Sequence, residues 1–472
     1  MAKDPNLCNA IHMSVGFFLL FLGFNTAQNF STSILGDIGA ISLAICYFVA
    51  AVFSIFVPSV ISMFPSVMSL MWVATLCYAL FLLTYIYIVP WLVIVLSFVL
   101  GFGAANLYSC EGMYLNACCT DKDRGMKTGV YWCYCIIAYL PPSEGIVGQG
   151  WQGTNSILFI ILAVVLFIGV IVLATLRKPT LVPGKGGNEG PLKLINEKDK
   201  SVSLCQRVMG VLKLLVNPRM LLIEPLMFCN GYIAIFAPAQ VSRQIRNTSI
   251  VGLCTVVFSV VEIVFSFING WFNDKVGNWI VIVYGSIAQA VAMILSLVED
   301  QEDQRLYMLF IAYALYGVGD SVYQNQALVL TMNTFPDQSD NANSVFRLVQ
   351  FFACGVCFVL APLFVSNGSV VATHDNFLIE CYIPWILLLL SLIFFFIFQF
   401  TSPKKDKKIV AHTSTPSTAK DVETIAVENK TSEQKEDVPA VTVAENTNTQ
   451  VTPAVTESTE VTPADVPTVV SA

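Results

Sequence analysis

Residues 91–117 read WLVIVLSFVLGFGAANLYSCEGMYLNA. A helix of about 20 mostly apolar residues crosses the hydrocarbon core of a bilayer, and this run is long enough. Its one formally charged side chain is Glu111. Working outward, comparable runs bring the candidate spans to twelve, at roughly 11–28, 38–60, 66–88, 91–117, 127–148, 155–176, 220–241, 249–271, 279–298, 306–331, 345–366 and 377–400. Composition agrees: 56% of residues are hydrophobic and 12% charged, against about 25% charged in soluble domains. Mean hydropathy is +0.69. A disordered chain, a basic nucleic-acid binder and an ordinary soluble enzyme are excluded. The expected fold class is an all-α membrane protein, with twelve transmembrane helices in two six-helix bundles.

The first span ends in Asn25-Thr26-Ala27-Gln28-Asn29, which is no signal-peptide cleavage site. The fifth has a short apolar part followed by Pro141-Pro142-Ser143-Glu144, so a kinked or broken helix is expected there. With the N-terminus in the cytoplasm, 22 of the 25 Lys and Arg residues fall inside; Arg243, Arg246 and Arg305 fall outside. The positive-inside rule thus favours twelve spans with both ends cytoplasmic. The sequons at Asn29, Asn247 and Asn367 fall on the outer side; Asn247 and Asn367 are the glycosylation candidates. The expected domains are a bundle at 1–176, a cytoplasmic central loop at 177–219 ending in a basic, partly amphipathic stretch, a second bundle at 220–400, and a tail at 401–472. The tail opens with Lys404, Lys405, Lys407 and Lys408 and continues in Thr, Val, Pro and Glu. Such a composition predicts disorder. It also holds much of the acidity behind the net charge of −7.

Span four carries Gly101-Phe102-Gly103-Ala104 and span ten Gly317-Val318-Gly319-Asp320, at corresponding places in the two halves. With the six-plus-six layout this favours homologous halves related by an axis along the membrane normal. Between spans eight and nine lies Gly270-Trp271-Phe272-Asn273-Asp274-Lys275-Val276-Gly277. It resembles the loop signature G-x-x-x-D-(R/K)-x-G of the major facilitator superfamily. Gly270, Asp274, Lys275 and Gly277 would form a gating loop, with Asp274 accepting bonds at a helix N-terminus; a tight turn is the alternative. The corresponding first-half loop, Val60 to Ser66, lacks the motif.

Over residues 10–400 the chain resembles the Unc-ninety-three-like family of major facilitator proteins. The resemblance rests on Asn25-Thr26-Ala27-Gln28-Asn29; on Gly103-Ala104-Ala105-x-Leu107-Tyr108-x-x-Glu111-Gly112-x-Tyr114-Leu115; on Gly129-Val130-Tyr131-Trp132; on Arg177-Lys178-Pro179; on Gly317-x-Gly319-Asp320-Ser321-x-x-x-x-Gln326; and on Ser344-Val345-Phe346-Arg347-Leu348-Val349-Gln350. Glu111, Tyr108 and Gln324 stand where the family usually has Gln, Trp and Asn. The resemblance implies a major facilitator fold and two function classes. One is a transporter of an ion or small solute working by alternating access. The other is a non-transporting partner, a regulatory subunit of an ion channel (a potassium channel) or a trafficking chaperone for receptors. Plasma and endolysosomal membranes both fit.

Charges inside a bilayer cost about 2.5–3.5 kcal/mol each on insertion scales, so each needs a reason. Asp320 and Gln324 share a face of span ten, with Gly317 on that side. With Glu262, Glu111 and Asn106 they are the candidate cavity or ion-coupling residues. For the carboxylates the alternative is a structural bond, to Asn106, Asn269 or Gln289 for Asp320, and to Arg124 or Lys127 for Glu111. Arg347 reads as a snorkelling anchor. Asn25 and Gln28 are candidates for an entrance, or a polar helix end. The histidines His12, His374 and His412 are scattered and the cysteines sit mostly in apolar runs, so no metal site, cofactor or nucleic-acid partner is expected and the lipid bilayer is the expected medium. Cys354-x-x-Cys357 reads as core packing. Cys118 and Cys119 are candidate palmitoylation positions.

Overall fold

The computed structural model describes residues 5–35, 37–119, 127, 150–151, 153–179, 203–245, 248–298, 305–360 and 374–401. Helices α1 (Pro5–Leu35), α2 (Asp37–Ser54), α3 (Val57–Met63), α4 (Val67–Leu83), α5 (Pro90–Cys118) and α6 (Thr154–Ala174) precede the central segment. Helix α7 (Leu204–Leu215) and the short α8 (Pro218–Leu221) lead into α9 (Glu224–Phe236), α10 (Thr248–Val276), α11 (Asn278–Val298), α12 (Leu306–Thr334), α13 (Ser339–Leu360) and α14 (His374–Thr401). One short antiparallel pair joins Tyr87–Ile88 to Gly150–Trp151. Among the described residues eight helices are long and apolar enough to cross a membrane, nine if α2 and α3 count as one span. Helix is found in eleven of the twelve expected segments; the fifth, 127–148, lies outside the described residues apart from Lys127. The tail beyond Thr401, most of 177–219, Asn247 and Asn367 also lie outside them.

Two departures from straight spans have the same cause. Helices α2 and α3 meet at 73°. Pro58, in the first turn of α3, has no N–H for the carbonyl of Ser54, so the ladder breaks there. Pro238 likewise leaves the carbonyl of Ala234 without its helical donor, and α9 runs on as a π turn over Ala237–Val241. The basic stretch before α8 forms the amphipathic α7. Ser203 and Gln206 close a capping box at its start, and Val211 and Leu214 are buried, the helix packing on α3 and α13.

Two hydrophobic cores form. One draws on residues 10–173 with Phe351, the other on residues 211–398 with Leu43 and Ala44. Packing within the halves is equivalent. Helix α5 packs on α2 and α4, and α12 packs on α10 and α11. The paired glycines explain how. A Cβ at Gly101 would stand 2.5 Å from the Cys46 carbonyl oxygen of α2, and one at Gly103 would overlap Cys77 of α4. A Cβ at Gly317 would stand 2.5 Å from the Phe258 carbonyl oxygen of α10, and one at Gly319 would overlap Gln289 of α11. Lipid supplies no hydrophobic drive between helices, so close packing through small residues carries the association. Each G-x-G therefore clamps two neighbours, in the same order in both halves. Between the halves, α13 packs along α2 and touches α5.

Candidate functional site

A cavity of about 130 Å³ lies between the halves. Helix α1 brings Phe24, Asn25 and Gln28 to it, α10 brings Glu262, α12 brings Asp320 and Gln324, and α13 brings Gln350. Five candidates from three separate spans thus meet: Asn25, Gln28, Glu262, Asp320 and Gln324. Asp320 and Glu262 are each 4% exposed. Their side chains lie within hydrogen-bonding reach of one another. A bond between them needs a proton on one carboxyl, because an ionised carboxylate only accepts. Oxygen Oδ1 of Asp320 receives no bond from any described residue. The structural partners considered for Asp320 are engaged elsewhere: Asn269 Nδ2 donates to Ser321 Oγ (2.9 Å), and Gln289 Nε2 to the Tyr316 carbonyl (3.3 Å).

Asn106 and Glu111 are buried but do not line the cavity. Asn106 Nδ2 folds back to the Phe102 carbonyl of its own helix (2.8 Å). Glu111 turns to Arg347, with Oε2 2.7 Å from Nη2 and both side chains fully buried. Arg347 is therefore no snorkelling anchor, and Glu111 does not need Arg124 or Lys127. The guanidinium of Arg347 lies 4.8 Å from the ring centres of Tyr108 and Phe346. Lys127 instead donates to the Cys118 carbonyl (2.9 Å) at the end of α5, where a cation meets the negative end of the helix dipole.

A polar relay joins this ion pair to the cavity. Arg347 Nη1 donates to Gln350 Oε1 (2.7 Å), and Gln350 Nε2 donates to Gln324 Oε1 (3.0 Å) and Asn230 Oδ1 (2.7 Å). Gln324 is one helical turn from Asp320. Sequence reasoning did not single out Gln350 and Asn230 as site residues. The available signal was Gln350, three residues after Arg347 and on its face of the helix. Beside the ion pair, Asn343 Nδ2 donates to the Ser109 carbonyl (2.8 Å), again joining α13 to α5. In the cavity wall, Tyr47 donates to Gln28 Oε1 (2.8 Å) and stacks on Phe358 at 5.6 Å.

The loop motif sits at the tight α10–α11 junction. Only Gly277 separates the helices, at φ +89°, and its N–H donates to the Asn273 carbonyl (3.0 Å). Gly270 is buried, and Lys275 Nζ lies 3.7 Å from the centre of the Trp271 ring. The side chain of Asp274 lies outside the described ones. Asn278 Oδ1 accepts from Gln399 Nε2 of α14 at 3.0 Å. Cys354 and Cys357 are buried and form no disulfide, and Cys354 Sγ points at the Gly231 carbonyl (3.1 Å). Cys118 and Cys119 are buried as well, which removes them as accessible acylation positions.

Two equivalently packed helical halves around a polar cavity define a multi-pass membrane protein with the major facilitator fold. The chain superposes on a point variant of the E. coli fucose:proton symporter FucP with a TM-score of 0.58 at 13% identity, covering 84% of this chain and 99% of that one. For the nucleoside transporter NupG the TM-score is 0.54 at 13% identity, over 84% and 99%. The family model described as "Ion channel regulatory protein UNC-93" matches residues 31–396, and the chain belongs to that family. Relatives include UNC93-like protein 3 of Arabidopsis thaliana, 26% identical over 74% of this chain and 79% of its own length. UNC93-like protein MFSD11 of Xenopus laevis is 23% identical over 75% and 90%. Protein unc-93 homolog A of Xenopus laevis is 22% identical over 86% and 95%.

Proposed function

We propose that this protein moves a small solute or ion across the bilayer by alternating access, with the Glu262–Asp320 pair as its coupling group. The observation that carries this reading is that pair: two buried carboxyl groups, within hydrogen-bonding reach of each other, in the wall of a cavity between two helical halves. A carboxyl pair that holds one proton can release it or take a second as the cavity fills and empties. The positive-inside count favours cytoplasmic termini. On that assignment the cavity lies toward the outside and Glu111–Arg347 toward the cytoplasm. The ion pair then closes the inner side, and breaking it lets the halves rock. The relay through Gln350 and Gln324 gives the closed side a physical link to the cavity. Purified full-length protein in liposomes tests the reading. Solute-dependent proton movement across the bilayer is expected, and its loss in Asp320→Asn. Absence of movement for every solute class would reject it.

The family's description as an ion channel regulator favours a second reading, a regulatory subunit without transport. Its residues would lie on lipid-facing surfaces rather than in the cavity. Altered channel current on co-expression, unaffected by Asp320→Asn, would favour it.

A further inference from the structure

The cavity wall carries two carboxyls and no cation beside them. Once the pair has given up one of its two protons it is singly negative. Among the described residues that line the cavity there is no Lys, Arg or His. The nearest described cation on the relay is Arg347, and it is neutralised by Glu111 at 2.7 Å. The other titratable groups in the cavity wall are Tyr47 of α2, Tyr108 of α5 and Cys354 of α13; the α11 residue packed against Gly319, next to Asp320, is the amide Gln289. A singly negative, desolvated site repels anions and attracts a cation.

The rest of the lining narrows the class. Phe21, Phe24, Phe258 and Phe351 join Tyr47 and Tyr108 in the wall. Aromatic faces attract cations, most strongly when the pair is desolvated. The amides of Gln324 and Gln350 are bonded to each other and on to Asn230 and Arg347, which leaves them little to offer a polyhydroxylated solute. Asp320 Oδ1 is the buried acceptor left open. Among the described residues no group of three His, Cys, Asp or Glu side chains could hold a metal ion. The volume of about 130 Å³ also exceeds by far the roughly 10–15 Å³ that one water needs.

We infer that the cavity takes a small monovalent organic cation, a protonated or quaternary amine, which exchanges with the proton shared by Glu262 and Asp320. The amine enters with one positive charge. The shared proton leaves to the water of the cavity, and the two carboxylates then face the ammonium and its ring of aromatic faces. This deepens the transporter reading by naming its substrate class, but binding alone does not depend on transport.

The test uses the full-length protein in detergent, with tetramethylammonium and propylammonium as probes and propionate and fucose as controls. Both ammonium ions should raise the thermal midpoint in a concentration-dependent way. They should release about one proton per site into weakly buffered solution, and bind about tenfold more weakly for each pH unit of acidification. Glu262→Gln and Asp320→Asn should abolish the proton release. Phe24→Leu, which leaves the carboxyl pair intact, should weaken binding several-fold without changing the proton count. Stabilisation by propionate or fucose in place of the ammonium ions would overturn the inference, as would ammonium binding unchanged in both carboxyl variants. Flux assays in liposomes separate the two claims. Ammonium binding without flux removes transport and keeps the cation site. Flux of a neutral solute without ammonium binding removes the cation site and keeps transport.

Discussion

Replacing Glu111 with Leu leaves Arg347 fully buried with its main counter-charge gone. The pair measures 2.7 Å between Nη2 and Oε2, and both side chains have no exposure. Removing one partner of such a pair costs about 3–5 kcal/mol, because the surviving charge stays in a low dielectric without compensation. The two single variants are not equivalent. A carboxyl orphaned by Arg347→Leu can take up a proton; a guanidinium orphaned by Glu111→Leu cannot shed one. Gln350 at 2.7 Å and the rings of Tyr108 and Phe346 at 4.8 Å soften the loss for Arg347 but do not neutralise it. Glu111→Leu should therefore be the more damaging variant, at the upper end of that range. Arg347→Leu should lie at the lower end, and the double variant should return to wild-type stability or exceed it, as apolar replacements of buried pairs do. Chemical unfolding of the purified protein in detergent, followed by circular dichroism for all four proteins, reads this order. A single variant within about 0.5 kcal/mol of wild type, or a double variant whose loss is the sum of the two singles, would refute the reasoning.

Asp320→Asn keeps a donor for Glu262 and the volume of the side chain, so stability should hardly change while coupled activity is lost. Full activity alongside unchanged stability would count against a coupling role. Gly101→Ala and Gly317→Ala each place a methyl 2.5 Å from a carbonyl oxygen of the neighbouring helix, and each should destabilise by about 1–3 kcal/mol. Unequal losses would argue against the equivalence of the halves. Gly277→Ala forces an L-residue to φ +89° and should cost about 1–3 kcal/mol. The check is a lowered unfolding midpoint, which Gly277→Asn should partly restore because Asn tolerates the left-handed region better.

The helices were legible because an apolar run of spanning length admits few other structures. The α2–α3 bend was readable in principle from Pro58, but the apolar run 38–60 continues through it without a polar break. The G-x-G pairs flagged corresponding positions in two halves. Which helices they clamp depends on packing, which no local pattern encodes. Site residues were visible as charges and amides in apolar surroundings, and Asn25, Gln28, Glu262, Asp320 and Gln324 do share one cavity. The pairing was not legible. Glu111 and Arg347 are 236 positions apart, and Arg347 near the start of a span reads the same whether it snorkels or crosses to the other half. The Glu262–Asp320 pair joins two spans for the same reason. Its partners are chosen by the crossing of α10 and α12, which Gly317 draws together.

Alternating access itself can be tested without knowing the solute. Cys354 lines the cavity, and with the other cysteines replaced it reports which side of the membrane reaches that cavity. A membrane-impermeant maleimide should label it from one side in the otherwise wild-type protein. In Glu111→Gln, where the buried ion pair is weakened, labelling from the opposite side should rise and labelling from the first side should fall. Labelling confined to the same side in both proteins would contradict the account.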